Sequence, residues 1–190
     1  MTVVCNTMVR ACAEIAMLSV LSMATVQAQP VLEQSDAASI QVPQDILLEQ
    51  LGGASFYVSI FHVYDAELWG PKTGFSWDDP FRLKLTYARK ISADQLVNTS
   101  LTEMVRVSGG KAQDFEALRR PLAECFRDVK KGDVIEGVSE SRNAATFYFN
   151  GEQTCRLTLP MASYQFFSIW LGERSRSPKQ TWRLLGKNNR

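Results

Sequence analysis

The run from Ala54 to Trp69, ASFYVSIFHVYDAELW, constrains the fold most, because it is the longest stretch of strand-forming residues in the chain. Aromatic and β-branched side chains suit a pleated, packed surface. In a period-two register Phe56, Val58, Ile60 and Tyr64 fall on one side, and Tyr57, Phe61 and Val63 on the other. Both faces are therefore apolar near the middle, which predicts one central strand covered on both sides. Asp65 and Glu67 share a face near its end, where the cover gives way to solvent. Gly52-Gly53 and Gly70-Pro71 break the pattern and set its limits.

The rest of the chain supplies partners for such a strand. Phe81 to Arg89 alternates, with Phe81, Leu83, Leu85 and Tyr87 on one face and Arg82, Lys84 and Thr86 on the other. That pattern belongs to an antiparallel sheet with one packed face. Ser92 and Gln95 have the spacing of a capping box that opens a helix running to Val107, and Gly109-Gly110 closes it. A second helix is expected from Ala112 to Phe126, kinked or restarted at Pro121. Strands follow at 134–140, 145–149 and 152–159, the last two joined by Asn150-Gly151, a strong hairpin signal. Pro160 predicts a helix through Trp170, and a short one surrounds Trp182. Ile40 to Glu49 reads as an edge strand because of Pro43. Sequential strands with two groups of helices make an α+β fold, its helices on one face of a curved antiparallel sheet.

Residues 1–28 do not fit this domain. Arg10 precedes an apolar stretch from Ile15 to Met23, and Val26-Gln27-Ala28 has the small-residue spacing of a signal-peptidase site. The pattern predicts a signal peptide cleaved after Ala28, a flexible entry over 29–39 and one domain over 40–190, exported to the periplasm. The apolar stretch is shorter than the ~20 residues that span a bilayer, so no stable membrane span is expected after cleavage. Without Arg10 and Glu14 the charges nearly balance, which argues against a nucleic-acid partner. The basic tail, Arg174, Arg176, Lys179, Arg183, Lys187 and Arg190, reads as a solvated terminal face. Cys125 and Cys155 remain in the domain. Two readings of them stand, a disulfide in an oxidising compartment or two buried thiols. No CxxC or Cys/His cluster is present and His62 is the lone histidine, so no metal site and no cofactor are expected.

Several phrases, FHVYDAELW, LTYARKISADQL, FRDVKKGDVI, FYFNGE and IWLGE, span Phe61 to Glu173. Together they resemble the chalcone isomerase-like family, in particular its bacterial exported branch. The resemblance implies an open-faced β-sandwich with a cleft between sheet and helices. In the plant enzymes that cleft cyclises a chalcone, and in non-catalytic members it holds a fatty acid. The family's strand arginine corresponds to a position near Phe56. Its catalytic tyrosine, lysine and asparagine fall at Leu96, Thr99 and Glu103, so none of these groups is matched.

Tyr64, Tyr87, Arg89, Thr99, Glu103 and Arg106 are the polar residues able to converge between sheet and helix. Tyrosine beside arginine suits a carboxylate, since a guanidinium accepts it in a fork while a phenol donates alongside. The plain alternative is a core-edge tyrosine, a solvated Arg89 and a surface Glu103–Arg106 pair. His62 and Tyr64, read as sharing a strand face, are the only candidate acid-base groups. Three functions follow: a non-catalytic domain that binds a small apolar or amphipathic molecule, an isomerase of the intramolecular lyase type acting on another substrate, and an envelope module whose sheet face binds a protein partner.

Overall fold

A computed structural model describes residues 47–187. The expected signal peptide (1–28), the entry segment (29–39) and most of the 40–49 strand lie outside them. Six strands form one sheet: β1 (Glu49–Val58), β2 (Phe61–Gly70), β3 (Phe81–Tyr87), β4 (Val134–Ser141), β5 (Ala144–Phe149) and β6 (Glu152–Thr158). Each pairs antiparallel with the next, so their spatial order follows the sequence. Four helices, α1 (Ala93–Ser108), α2 (Glu116–Cys125), α3 (Ala162–Leu171) and α4 (Pro178–Leu184), complete an α+β, open-faced β-sandwich.

The Ala54–Trp69 run is not one central strand. It is an edge hairpin, β1 and β2, turning at Ser59-Ile60 with Ser59 at φ 55°. No glycine, proline or asparagine marks this turn, so the run of apolar residues hid it. The sheet centre is instead β3 and β4, and the inward alternation of Phe81, Leu83, Leu85 and Tyr87 holds, since all four are buried. The outward face carries charge pairs such as Lys84–Glu67 at 3.4 Å and Arg82–Glu136 at 3.7 Å.

Ser92 caps α1 in a full capping box with Gln95, and Gly109 ends the helix at φ 74°. The stretch from Ala112 begins as a 3-10 turn and passes into α2, with Pro121 inside that helix rather than breaking it. Asn150-Gly151 forms the expected turn, with φ of 50° and 88°. α3 starts at Ala162, after Met161 in a left-handed conformation, two residues beyond the Pro160 start predicted.

Cys125 at the end of α2 is joined to Cys155 on β6 in a disulfide, with Cα atoms 4.9 Å apart. Phe126, Phe147, Phe166 and Phe167 pack edge to face or tilted beside it. A Cβ at Gly137 would lie 2.8 Å from Phe167 Cζ, so glycine on β4 is what lets α3 settle there. α4 seats on β1, where Gly52 leaves no room for a Cβ against the Arg183 carbonyl. α1 packs on α2 and α3 and approaches the sheet less closely than they do. The space left between α1 and the sheet is the site.

Candidate functional site

That space is a cavity of about 570 Å³. Its inner wall is apolar and comes from elements described above: Leu83 and Leu85 of β3, Ile135 of β4, Phe147 of β5, and Phe166 and Phe167 of α3. The lining residues exposed to solvent form its rim, and they include Tyr57, Val58, Arg89, Lys90, Gln95 and Arg176.

Of the polar residues singled out from the sequence, Tyr64, Tyr87, Arg89, Thr99 and Glu103 all line this cavity. Arg106 does not. It holds Glu103 from behind at 2.7 Å and donates to the Arg174 carbonyl at 2.8 Å. His62 also falls outside the lining, contrary to the expectation that it shares a face with Tyr64. A bulge explains this: Phe56 pairs with Tyr64 and Tyr57 with His62, so Val63 is the extra residue. The bulge turns Val63 and Tyr64 both inward and sends His62 to the other side, where its ring bonds Asp65 at 3.0 Å.

The two tyrosines carry the interior polarity. Trp170 Nε1 donates to Tyr64 Oη at 2.9 Å, so the phenol's own proton is left to point elsewhere. Among the described residues it meets no acceptor, and Tyr87 Oη has no hydrogen-bond partner. Burial pushes the Tyr64 phenol up to about 12, and the nearby Glu103 charge adds to that against the Trp170 bond. Burial, with Tyr64 beside it, raises Tyr87 further. Both are thus neutral donors near pH 7, their rings 5.7 Å apart edge to face.

Glu103 is the one carboxylate on the lining. Burial pushes its carboxyl up, but hydrogen bonds from Arg176 and Arg106 outweigh that and hold it below the usual carboxylate range. It is ionised and neutralised in place. Arg176 reaches it from the segment before α4, and Arg174 bonds the Ser108 carbonyl. The basic tail is therefore partly structural rather than a solvated face throughout. Sequence reading missed Arg176, Gln95, Lys90 and the role of Trp170, because each joins the site through a tertiary contact. The Trp170–Tyr64 bond spans 106 residues.

The positions aligned with the family's functional groups, Phe56, Leu96, Thr99 and Glu103, all line the cavity. Phe56 stacks on Tyr64 with centroids 5.0 Å apart. No arginine or lysine projects from that strand position. Among the described residues no cluster of three or more histidine, cysteine, aspartate or glutamate side chains is placed to hold a metal ion.

This arrangement, a one-sided antiparallel sheet with an apolar cavity under its helices, defines the chalcone isomerase-like fold. Among solved structures, the crystal structure of a fatty-acid binding protein from Arabidopsis thaliana is similar, with a TM-score of 0.59 at 9% identity, covering 73% of this chain and 87% of that one. No protein-family model matches the sequence, and no curated protein matches it.

Proposed function

We propose that this chain binds a single-chain amphiphile of the fatty-acid type in the cavity between α1 and the sheet, without transforming it. The observation that carries the reading is the split in the lining. The interior is apolar with two neutral phenols, and the unengaged cations, Arg89 and Lys90, stand on the rim. An acyl chain loses water contact against Leu83, Leu85, Ile135 and the phenylalanines, which is the main source of affinity. Its carboxylate accepts from Tyr64 and Tyr87, and the rim cations favour the negative charge. A volume of about 570 Å³ falls in the ~300–1,000 Å³ range of small-molecule sites. The fold is shared with a plant protein described as fatty-acid binding, which supports the same reading.

With it goes the placement of the chain in the exported branch that its phrases resemble, residues 1–28 serving as a cleaved signal and the mature domain working in the periplasm. The Cys125–Cys155 disulfide suits an oxidising compartment.

Titration with palmitate, followed by the fluorescence of Trp170 and by native mass spectrometry, tests the binding. One molecule per chain and a saturable signal are expected. A charge-assisted hydrogen bond contributes ~1.5–3 kcal/mol, so Tyr64→Phe or Tyr87→Phe should weaken binding by roughly ten- to a hundredfold. A chain that takes up no palmitate would overturn the proposal, and unchanged affinity in both variants would move the carboxylate away from the tyrosines.

A further inference from the structure

The β1–β2 hairpin projects apolar side chains into solvent. Tyr57 is 58% exposed, Val58 67%, Ile60 83% and Phe61 59%. Isolated exposed apolar residues are ordinary, but four around one turn are a patch. Nothing in the hairpin's own geometry needs them, since a two-residue turn is served as well by polar side chains.

The neighbouring loops give the patch its chemistry. β3 ends beside the hairpin, where the Ala88 amide donates to the Val63 carbonyl at 2.8 Å, and Arg89 and Lys90 follow. The Arg89 guanidinium lies over the Phe61 ring, 5.6 Å from its centroid. The Gly132 amide donates to the Tyr87 carbonyl at 2.8 Å and Ile91 bridges Val129, which brings Lys130 and Lys131 to the same end. All four cations are exposed, and among the described residues none is in a salt bridge. Several of the nearby carboxylates are committed elsewhere. Asp133 is buried and bonded to the Lys130 amide and Asn150, Asp128 accepts from the Ala93 amide at 2.9 Å, and Asp65 holds His62 and Ser55. Asp94 and Glu152 remain exposed, so this end is net cationic.

We infer that this end of the sheet docks on an anionic bilayer: the hairpin tip enters the headgroup and acyl boundary, and Arg89, Lys90, Lys130 and Lys131 meet the lipid headgroups. Apolar side chains backed by cations are the pattern of interfacial membrane binding, and each half alone gives only weak association. The position of the tip favours a bilayer over a protein partner. Tyr57, Val58, Arg89 and Lys90 belong both to the patch and to the cavity rim. A tip seated in lipid therefore sets the cavity mouth against the bilayer, and an acyl chain passes between the two without crossing water. This deepens the proposed function and rests on it for the cargo, though the docking itself does not.

Co-sedimentation with vesicles tests it, using the full chain on equal parts phosphatidylglycerol and phosphatidylcholine, and on phosphatidylcholine alone. Stronger binding to the anionic vesicles is expected, weakening as salt is raised. Ile60→Ser/Phe61→Ser, two positions outside the cavity lining, should weaken binding at least about tenfold, given roughly 1.5–3 kcal/mol for burying each such side chain. Lys130→Gln/Lys131→Gln should remove most of the preference for anionic lipid. Any contribution from other segments of the chain is common to all variants. Equal binding by the wild type and the tip variant would overturn the inference, as would no binding at all. So would a dimer that the tip substitutions dissociate, which would make the patch an interface between two copies. Palmitate titration without vesicles separates the two readings: the tip variant should keep its palmitate affinity, and a chain that binds vesicles but no palmitate would lose the function and keep the docking surface.

Discussion

Reducing the Cys125–Cys155 disulfide should lower the stability of the domain by about 3.6 kcal/mol. The bond closes a loop with a sequence separation of 30 residues. In the chain-entropy model a cross-link removes about 2.1 + 1.5R ln n cal/mol/K from the unfolded chain, which for a loop of that length is about 12 cal/mol/K, or about 3.6 kcal/mol at 25 °C. The folded state should tolerate the loss, because Cys125 remains packed at the end of α2 beside Phe126. The assay is urea unfolding of oxidised and reduced protein, in a Cys5→Ser/Cys12→Ser background so that only this pair changes. At ~1–3 kcal/mol per molar urea, the midpoint should fall by roughly 1 to 4 M on reduction. Coincident midpoints would refute the reasoning. They would mean that the unfolded chain is already restricted between α2 and β6, or that the pair is not bonded in the folded protein.

Two further outcomes are expected. Gly151→Val should destabilise the domain by ~1–2 kcal/mol, because Gly151 sits at φ 88° and a β-branched residue resists that region; an unchanged thermal midpoint would place the strain elsewhere. The raised phenols should make stability fall with alkaline pH: between pH 10 and about 12 the unfolded state releases the Tyr64 proton and the folded state keeps it, which removes at most about 2.7 kcal/mol. Tyr64→Phe should flatten that fall, and phenolate absorbance from Tyr64 in folded protein near pH 10 would contradict it.

Where sequence and structure agree, the determinants are local. Ser92 and Gln95 cap α1 through bonds three residues apart, and Asn150-Gly151 supplies the two positive φ angles of its own turn. The alternation in β3 reports one buried face because side chains in a strand alternate by covalent geometry. What stayed hidden depends on distant partners or on conformations without a sequence mark. Ser59 turns the chain at φ 55° in a stretch whose apolar residues read as continuous strand. Those residues are apolar for a reason other than packing, since Ile60 and Phe61 face solvent. The bulge at Val63 shifts the register by one, which reverses every face upstream of it and removes His62 from the site. Leu96, Thr99 and Glu103 were placed on one side of α1 by helical spacing, and that side is the cavity wall. Arg176, which neutralises Glu103, comes from 73 residues away.

The location of charge explains why binding is a better reading of this cavity than ring closure. Intramolecular addition of a phenolate needs a cation to hold the nucleophile and donors where negative charge develops. At the strand position where the resemblance puts an arginine, Phe56 stacks on Tyr64 and contributes only apolar surface. On α1, Leu96 has no polar atom, and Glu103 brings a negative charge that two arginines already occupy. The remaining donors, Tyr64 and Tyr87, are phenols whose raised proton affinity makes them reluctant to give up a proton. Such groups hold a carboxylate well, because a hydrogen bond to an anion requires no proton transfer. They are poor at relaying a proton through a transition state, which works best with a group poised near the working pH. The one histidine, the group with an ordinary affinity suited to that task, is turned away by the Val63 bulge and tied to Asp65. Binding energy is thus available along the whole cavity, while nothing in its lining is arranged to favour a transition state over the molecule it holds.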